Sequence, residues 1–287
     1  MNIVYFVLSN SSVVGRRIDS SQSSIVHMQV GFSIRTMLAQ IGAEDTIYVA
    51  TDTPTLYCGM PQVVVIPIND ADIQQWRGPH DFFWRVKIVV IQKIAQLSPD
   101  KDIMYLDGDT YLYGRLDEIK QLLAQGVGMM HKDEGANSDR KDNAFKMWHA
   151  VKGHQYGEVT IDEQHMYNAG VVAIPATMTV RVADMALKIC DGMLDDHAEP
   201  VLVEQYALSV ALNQCSSRMV EARKWIGHYW HYKYYWSLYI SKFFARSYRM
   251  GNTVEDNIKA IRRINLKRVH HGILIKRTLA KFTGRIY

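Results

Sequence analysis

Cysteine is scarce in this chain: Cys58, Cys190 and Cys215 are scattered through 287 residues without the paired spacing of a metal site. An odd, sparse set builds no disulfide framework, so a reducing, cytosolic setting is expected. No apolar run approaches the ~20 residues needed to cross a bilayer. The opening segment MNIVYFVLSN has no positive stretch, and its apolar run is too short for a signal sequence. Residues 3–8 are therefore expected to form a buried first strand, in a protein without an obvious secretion signal or membrane span. No internal repeat or low-complexity tract is apparent.

What is present describes a globular chain. Apolar residues make up 48% and charged residues 22%, values that argue against global disorder. The length suits one large α/β domain, or one domain plus a C-terminal extension. The net charge of +4 conceals an uneven distribution. Residues 241–287 hold twelve Lys/Arg against Glu255 and Asp256, a local balance of +10, which leaves −6 on residues 1–240. A mildly acidic body therefore carries a strongly basic tail.

Strand-like and helix-like segments alternate through the first half. After the Ser-rich stretch 9–24, residues 26–41 carry Val30, Ile34, Met37, Leu38 and Ile41 near 3.6 spacing, with Gly42 as a stop. Residues 46–50, 63–66 and 103–106 read as short strands, and 82–97 and 116–123 as helices. Such alternation implies a mixed, mainly parallel sheet covered on both faces. Ligands of such sheets sit beyond the carboxyl ends of the strands, which directs attention to the loops after Leu8, Ala50 and Leu106. Segment 132–147 is polar and aperiodic and reads as a long surface loop. Residues 167–175 (YNAGVVAIP) read as a strand, 180–194 and 203–212 as helices, and 225–236 are dense in aromatics and histidine.

The chemistry concentrates in DIMYLDGDTYLY (102–113), where Asp107 and Asp109 follow an apolar strand. Residues two apart on an extended chain point to one side, so both carboxylates can converge on one hard divalent cation, Mg²⁺ or Mn²⁺. Gly108 leaves room for a phosphate to approach. A D-x-D alone is a chance-level tripeptide; the apolar stretches on both sides give this one its context. The D-x-D-x-[TV] pattern of haloacid-dehalogenase phosphatases fails here, because Thr110 falls one residue early and Tyr111 takes its place.

Several segments in order resemble the GT-A (Rossmann-like) glycosyltransferases, most closely the family that includes glycogenin and bacterial lipopolysaccharide galactosyl- and glucosyltransferases. Phe83-Trp84-Arg85-Val86 looks like the family's aromatic-Arg-hydrophobic segment, and IMYLDGDTYLYGRLDEI like its D-x-D signature. YNAGVVAIP resembles its F-N-[SA]-G strand, and Glu204-Gln205-Tyr-Ala-Leu its D-Q-x-x-L motif with Glu in place of Asp. Residues 228–236 (HYWHYKYYW) are similar to H-x-x-G-x-x-K-P-W, without the glycine and proline and with Lys233 one position early. The segments span about residues 3–236.

The resemblance implies a single GT-A catalytic domain over 1–240, followed by a basic, helical extension over 241–287. It implies that Asp109 binds the metal directly, that Asp107 shares the metal or a donor ribose hydroxyl, and that His228 is the third ligand, with His231 the substitute if the register shifts. Glu204, Gln205 and Asn168 would face the reacting sugar. Arg85, and less so Lys87, would meet the donor's diphosphate, since a guanidinium grips phosphate with paired donors. Gly170 would allow close backbone approach, and Asp162 and Glu163 are weaker cleft candidates. Leu8, Ser9, Asn10 and Asp52 are candidates for the donor's base and ribose. The expected reaction moves a hexose from a nucleotide diphosphate sugar, by resemblance UDP-linked and with retention, to a hydroxyl of a surface glycan or glycolipid.

Two other readings remain open at this level. A nucleotidyltransferase would carry a Gly-rich basic phosphate loop, of which SNSSVVGRR (9–17) is a poor version. The tail alternatively makes this a non-enzymatic module. Its basic residues, Lys259 to Arg285, are interleaved with Val269, Ile273, Leu274, Ile275, Leu279 and Phe282. That pattern suits an anionic membrane surface, such as the inner face of the plasma membrane, better than nucleic acid.

Overall fold

A computed structural model of the chain describes residues 1–9 and 20–282. Its first half runs β1 (Asn2–Val7), α1 (Ser20–Leu38), β2 (Thr46–Thr51), β3 (Val63–Pro67), α2 (Asp70–Trp76), α3 (Arg85–Leu97), β4 (Ile103–Leu106), β5 (Thr110–Leu112) and α4 (Leu116–Leu123). Next come β6 (Val127–Met130), β7 (Asp133–Ala136), α5 (Asn143–Val151), β8 (Gln155–Tyr156), β9 (Val159–Thr160), β10 (His165–Tyr167) and β11 (Val171–Ile174). The chain then continues through α6 (Thr179–Asp195), α7 (Val203–Cys215), β12 (Arg218–Glu221), β13 (Ile226–His228), α8 (Lys233–Arg249), α9 (Val254–Arg262) and α10 (Leu266–Phe282).

Seven strands form one sheet in the order β12-β6-β11-β4-β1-β2-β3. Every neighbouring pair is parallel except those made by β11, which runs against both β4 and β6. The architecture is thus α/β with a mixed, mainly parallel central sheet, compatible with a Rossmann-like plan. Period-2 alternation divides the strand residues between two cores. Val4, Ala50, Ile103, Tyr105 and Val172 face one layer that includes α3, α6 and α7. Ile3, Tyr5, Val49, Met104 and Leu106 face the other, built on α1 and α4.

Two local expectations need correction. Segment 132–147 is not one long loop: it holds β7 and the start of α5. Asp142 caps α5 by accepting from the Ala144 N–H at 3.1 Å. The apolar face of α5 (Ala144, Met147, Trp148, Val151) is buried, but half of it lies beyond the polar segment, which hid the period. Helix α2 is an addition, opened by a capping box between Asn69 and Asp72.

The boundary set at residue 240 falls inside α8. This helix packs on α1, with Phe32 meeting Trp236, Tyr239 and Phe243. Arg262 of α9 donates to the Ala39 carbonyl at 3.0 Å. Over its described residues, 241–282, the basic extension is largely helical, and α8 and α9 are seated on the body of the fold. No helix among the described residues is long and apolar enough to cross a membrane.

Candidate metal centre

The site is built where β4 ends and β11 begins. Because β11 runs antiparallel to β4, with Val171 opposite Leu106, the residues before β11 meet those after β4. The Asp107 N–H accordingly donates to the Gly170 carbonyl at 2.9 Å. A second, small ladder brings in the third candidate ligand. β13 pairs with β5 so that His228 lies opposite Thr110, and the Tyr229 N–H then reaches the Asp109 carbonyl at 3.0 Å.

These ladders bring Asp107, Asp109 and His228 together, with one ligand atom from each lying within 4.8 Å of the others. His228 Nε2 stands 3.2 Å from Asp109 Oδ1. An octahedral ion with bonds of about 2.1 Å holds adjacent ligands about 3 Å apart and opposite ones about 4.2 Å apart. The Asp109–His228 spacing fits adjacent positions, and the Asp107 carboxylate oxygen lies within 4.8 Å of both partners. Two carboxylates and one imidazole form a donor set that can hold a divalent metal ion. His231 is not in this cluster; its ring stacks on Trp230 with centroids 3.3 Å apart.

His228 is oriented from behind. Its Nδ1 lies 3.1 Å from Asn168 Oδ1, which also accepts from the Gly170 N–H at 3.1 Å. Nδ1 therefore donates to Asn168, and Nε2 is the atom turned toward the carboxylates, the outer-shell arrangement that metal-binding histidines use. Asn168 Nδ2 donates to Glu134 Oε1 at 3.3 Å, and Gln205 Nε2 donates to Glu134 Oε2 at 3.2 Å. Gln205 Oε1 in turn accepts from the Ala169 N–H at 3.2 Å. Glu134, paired with Arg140 at 3.4 Å, thus ties together two expected sugar-facing residues, and it comes from the segment read as a loop.

Lysines fill the rest. Lys87 Nζ lies 3.3 Å from Asp107 Oδ1 and 3.6 Å from Glu204 Oε1, and donates to the Ala169 carbonyl at 3.3 Å. Burial pulls this ammonium down, but Asp107 and Glu204 outweigh burial and hold it above its ordinary value. Burial lifts the Glu204 carboxyl, and Lys87 offsets only part of that. Burial also pushes the Asp109 carboxyl up, yet His228 and the half-exposed Lys233, 3.1 Å away, hold it well below the usual carboxylate range. Tyr105 is buried beside Asp107, and burial and that carboxylate both raise its phenol. His131 is buried against the His228 ring, with centroids 5.0 Å apart. Burial, then His228 and Arg223, push it down to about 3, so it is neutral at physiological pH.

The other expected site residues are placed as follows. Arg85 does not join the carboxylates: its guanidinium grips Asp191 of α6 through two bonds of 2.6 and 2.8 Å and donates to the Trp76 carbonyl at 2.8 Å. Residues two apart on a helix differ by about 200° in direction, so α3 sends Lys87 to the site and Arg85 to α6. Gly108 has a packing reason, since an added Cβ would run into Val30 of α1. Asp162 and Glu163 are exposed before β10. At the end of β1, Leu8 packs on the core. The Ser9 N–H donates to both oxygens of Asp52, at 2.8 and 3.0 Å. Asn10 lies outside the described residues.

Asp107, Asp109 and Glu204 set at most three negative charges against Lys87 and Lys233. A divalent ion would leave the cluster net positive, with Lys233 half exposed and free to turn outward. Compared with known proteins, the chain matches no protein-family model and no curated sequence.

Proposed function

We propose that the chain is a metal-dependent glycosyltransferase of the GT-A type, moving a hexose from a nucleotide diphosphate sugar to a hydroxyl of a surface glycan or glycolipid. The observation that carries this reading is the convergence of Asp107, Asp109 and His228 at the carboxyl-end edge of a mainly parallel sheet. This is where such sheets hold nucleotides. Asp107, Asp109 and His228 would hold Mn²⁺ or Mg²⁺. When bound, the ion neutralises charge growing on a diphosphate leaving group.

The residues of the chain divide the remaining work. Lys233, once released from Asp109, adds a cation for the diphosphate. Asn168 and Gln205, tied together by Glu134, and Glu204, held by Lys87, would face the donor sugar. Ser9 and Asp52 form the shelf for the ribose and base. The resemblance in the motifs favours a UDP-sugar and retention at the anomeric carbon. A peripheral seat on an anionic membrane accompanies this reading, because Ile275, Leu279 and Phe282 of α10 are exposed among Lys and Arg residues.

The test is a thermal-shift screen of nucleoside diphosphates with and without Mn²⁺, repeated on Asp109→Asn. Stabilisation that needs both the nucleotide and the metal, and that Asp109→Asn abolishes, is the expected result. Absence of any metal-dependent nucleotide effect in the unaltered protein would remove the assignment.

A further inference from the structure

Helix α1 presents a second face that is not used by the sheet. His27, Gly31 and Arg35 follow one another at four-residue spacing and so share one side of the helix. Val30, Ile34 and Met37 belong to the core side. Along the second face runs a cavity of about 470 Å³, walled by Leu56, Tyr57 and Met60 from the segment after β2 and by Phe244 from α8. That volume is typical of small-molecule sites. Its lining follows α1 from Ser24 to Arg35, about 16 Å of helix.

The two ends of the cavity differ. At one end the polar groups satisfy one another. Ser9 Oγ meets His27 Nε2 at 2.5 Å and Thr53 Oγ1 at 2.9 Å, and His27 Nδ1 meets the Tyr57 hydroxyl at 2.8 Å. At the other end stands Arg35, only 8% exposed. It donates from one terminal nitrogen to the Gly31 carbonyl at 2.8 Å, and its guanidinium lies 5.1 Å from the centre of the Phe244 ring. Among the described residues its Nε is buried without a hydrogen-bond partner. Burial lowers its affinity for the proton, and the nearby group that opposes this is the Tyr57 phenol rather than a carboxylate.

A guanidinium stays charged inside a protein, and a buried charge without a counter-charge is costly. Arginine is also the side chain best shaped to grip two oxygens of a carboxylate or phosphate. We propose that this cavity binds a small organic anion. Arg35 takes its carboxylate or phosphate, and Met28, Leu56, Met60 and Phe244 cover its apolar body. The recognition group is a fixed cation on α1, so binding requires no divalent ion, although Ser9 at the far end of the cavity also belongs to the proposed donor shelf.

The experiment is a metal-free thermal-shift titration of the full chain. Phenyl phosphate and benzoate serve as anions with an apolar body, inorganic phosphate as an anion without one, and benzyl alcohol as the body alone. One of the two organic anions is expected to raise the melting temperature at a concentration at least tenfold below inorganic phosphate, with benzyl alcohol inert. Which anion acts identifies a phosphate or a carboxylate ligand. Arg35→Met is expected to lose the response while melting no lower than the unaltered protein, since it replaces an unpaired buried cation by an apolar chain. Leu56→Trp, placed at a half-exposed position, is expected to fill the cavity and abolish the response without touching Arg35. Asp109→Asn is expected to respond in full. No response to either organic anion, equal responses with and without Arg35, or a response lost in Asp109→Asn would each overturn the proposal, the last by assigning the anion to the carboxylate cluster.

Discussion

The imidazole of His228 occupies the space where a Cβ on Gly170 would stand. Gly170 has no positive φ, so its glycine is required by room and not by backbone conformation. Gly170→Ala changes no ligand atom, yet it must displace the ring from Asp109. We expect Mn²⁺ affinity to fall at least tenfold, the scale of disturbed outer-shell support, with the far-UV circular dichroism unchanged. Calorimetric Mn²⁺ titration measures this, and an unchanged affinity would show that the ring is not a ligand.

Glu134 collects donors from Asn168, Gln205 and Arg140. In Glu134→Gln, one carboxylate oxygen becomes a donor that faces another donor. The expected result is a loss of about 10–100-fold in metal affinity or turnover without unfolding. Glu134→Ala should be no worse at the metal but more costly in stability, which urea titration separates from binding.

Arg85 is engaged by Asp191 and the Trp76 carbonyl. Arg85→Ala removes a two-pronged, partly buried bond to Asp191, which should cost about 1–3 kcal/mol. Arg85→Lys should recover little, because an ammonium lacks the planar fork. Mn²⁺ binding should be unchanged in both. A large loss of nucleotide binding with full stability would place Arg85 back at the donor.

Asp45 gives the clearest pH dependence. Its buried carboxylate meets Lys120 Nζ at 2.6 Å and the Gly42 N–H at 2.8 Å. Burial would raise this carboxyl, yet Lys120 and the Gly42 N–H bring it below its ordinary value. A depressed folded value means that the stabilisation is present above the unfolded value of about 3.9 and is lost as pH falls below it. Asp45→Asn should therefore be less stable than the parent by about 3 kcal/mol at pH 7. The gap should narrow through the acid range below about pH 4. A constant gap from pH 7 to pH 3 would refute the assignment.

For α10, replacement of Ile275, Leu279 and Phe282 by Ser should abolish co-sedimentation with anionic vesicles and leave metal binding intact. Equal sedimentation with neutral and anionic vesicles would dismiss the electrostatic part of the proposal.

What the sequence revealed follows the range of each interaction. The strand before Asp107, the two-residue spacing to Asp109 and the Gly-Val-Val run of β11 are local patterns, and the structure sets them side by side. His228 was separable from His231 only through the β5–β13 ladder, which fixes it opposite Thr110. Lys87 and Arg85 were both visible as basic residues on one helix. Which of them turns inward depends on Asp191, more than a hundred residues away. Glu134 left no signal at all, because its distant partners sit in the turn before β11 and on α7 and its own segment lacks apolar period. His131 was hidden for the same reason, since burial and the His228 ring define it.

The reversed strand β11 has a consequence for how bound ligand is felt by the whole molecule. A site on a surface loop can be tightened without slowing the opening of the core. Here the backbone bond from Asp107 to Gly170 is the next rung of the β4–β11 ladder at the middle of the sheet. Breaking that ladder separates Asp107 and Asp109 from the Asn168–Gly170 turn that supports His228. Metal or nucleotide bound there should slow amide hydrogen exchange in Met104–Leu106 and Val171–Ala173 as much as in the liganding turn, because those amides exchange only when the central strands part.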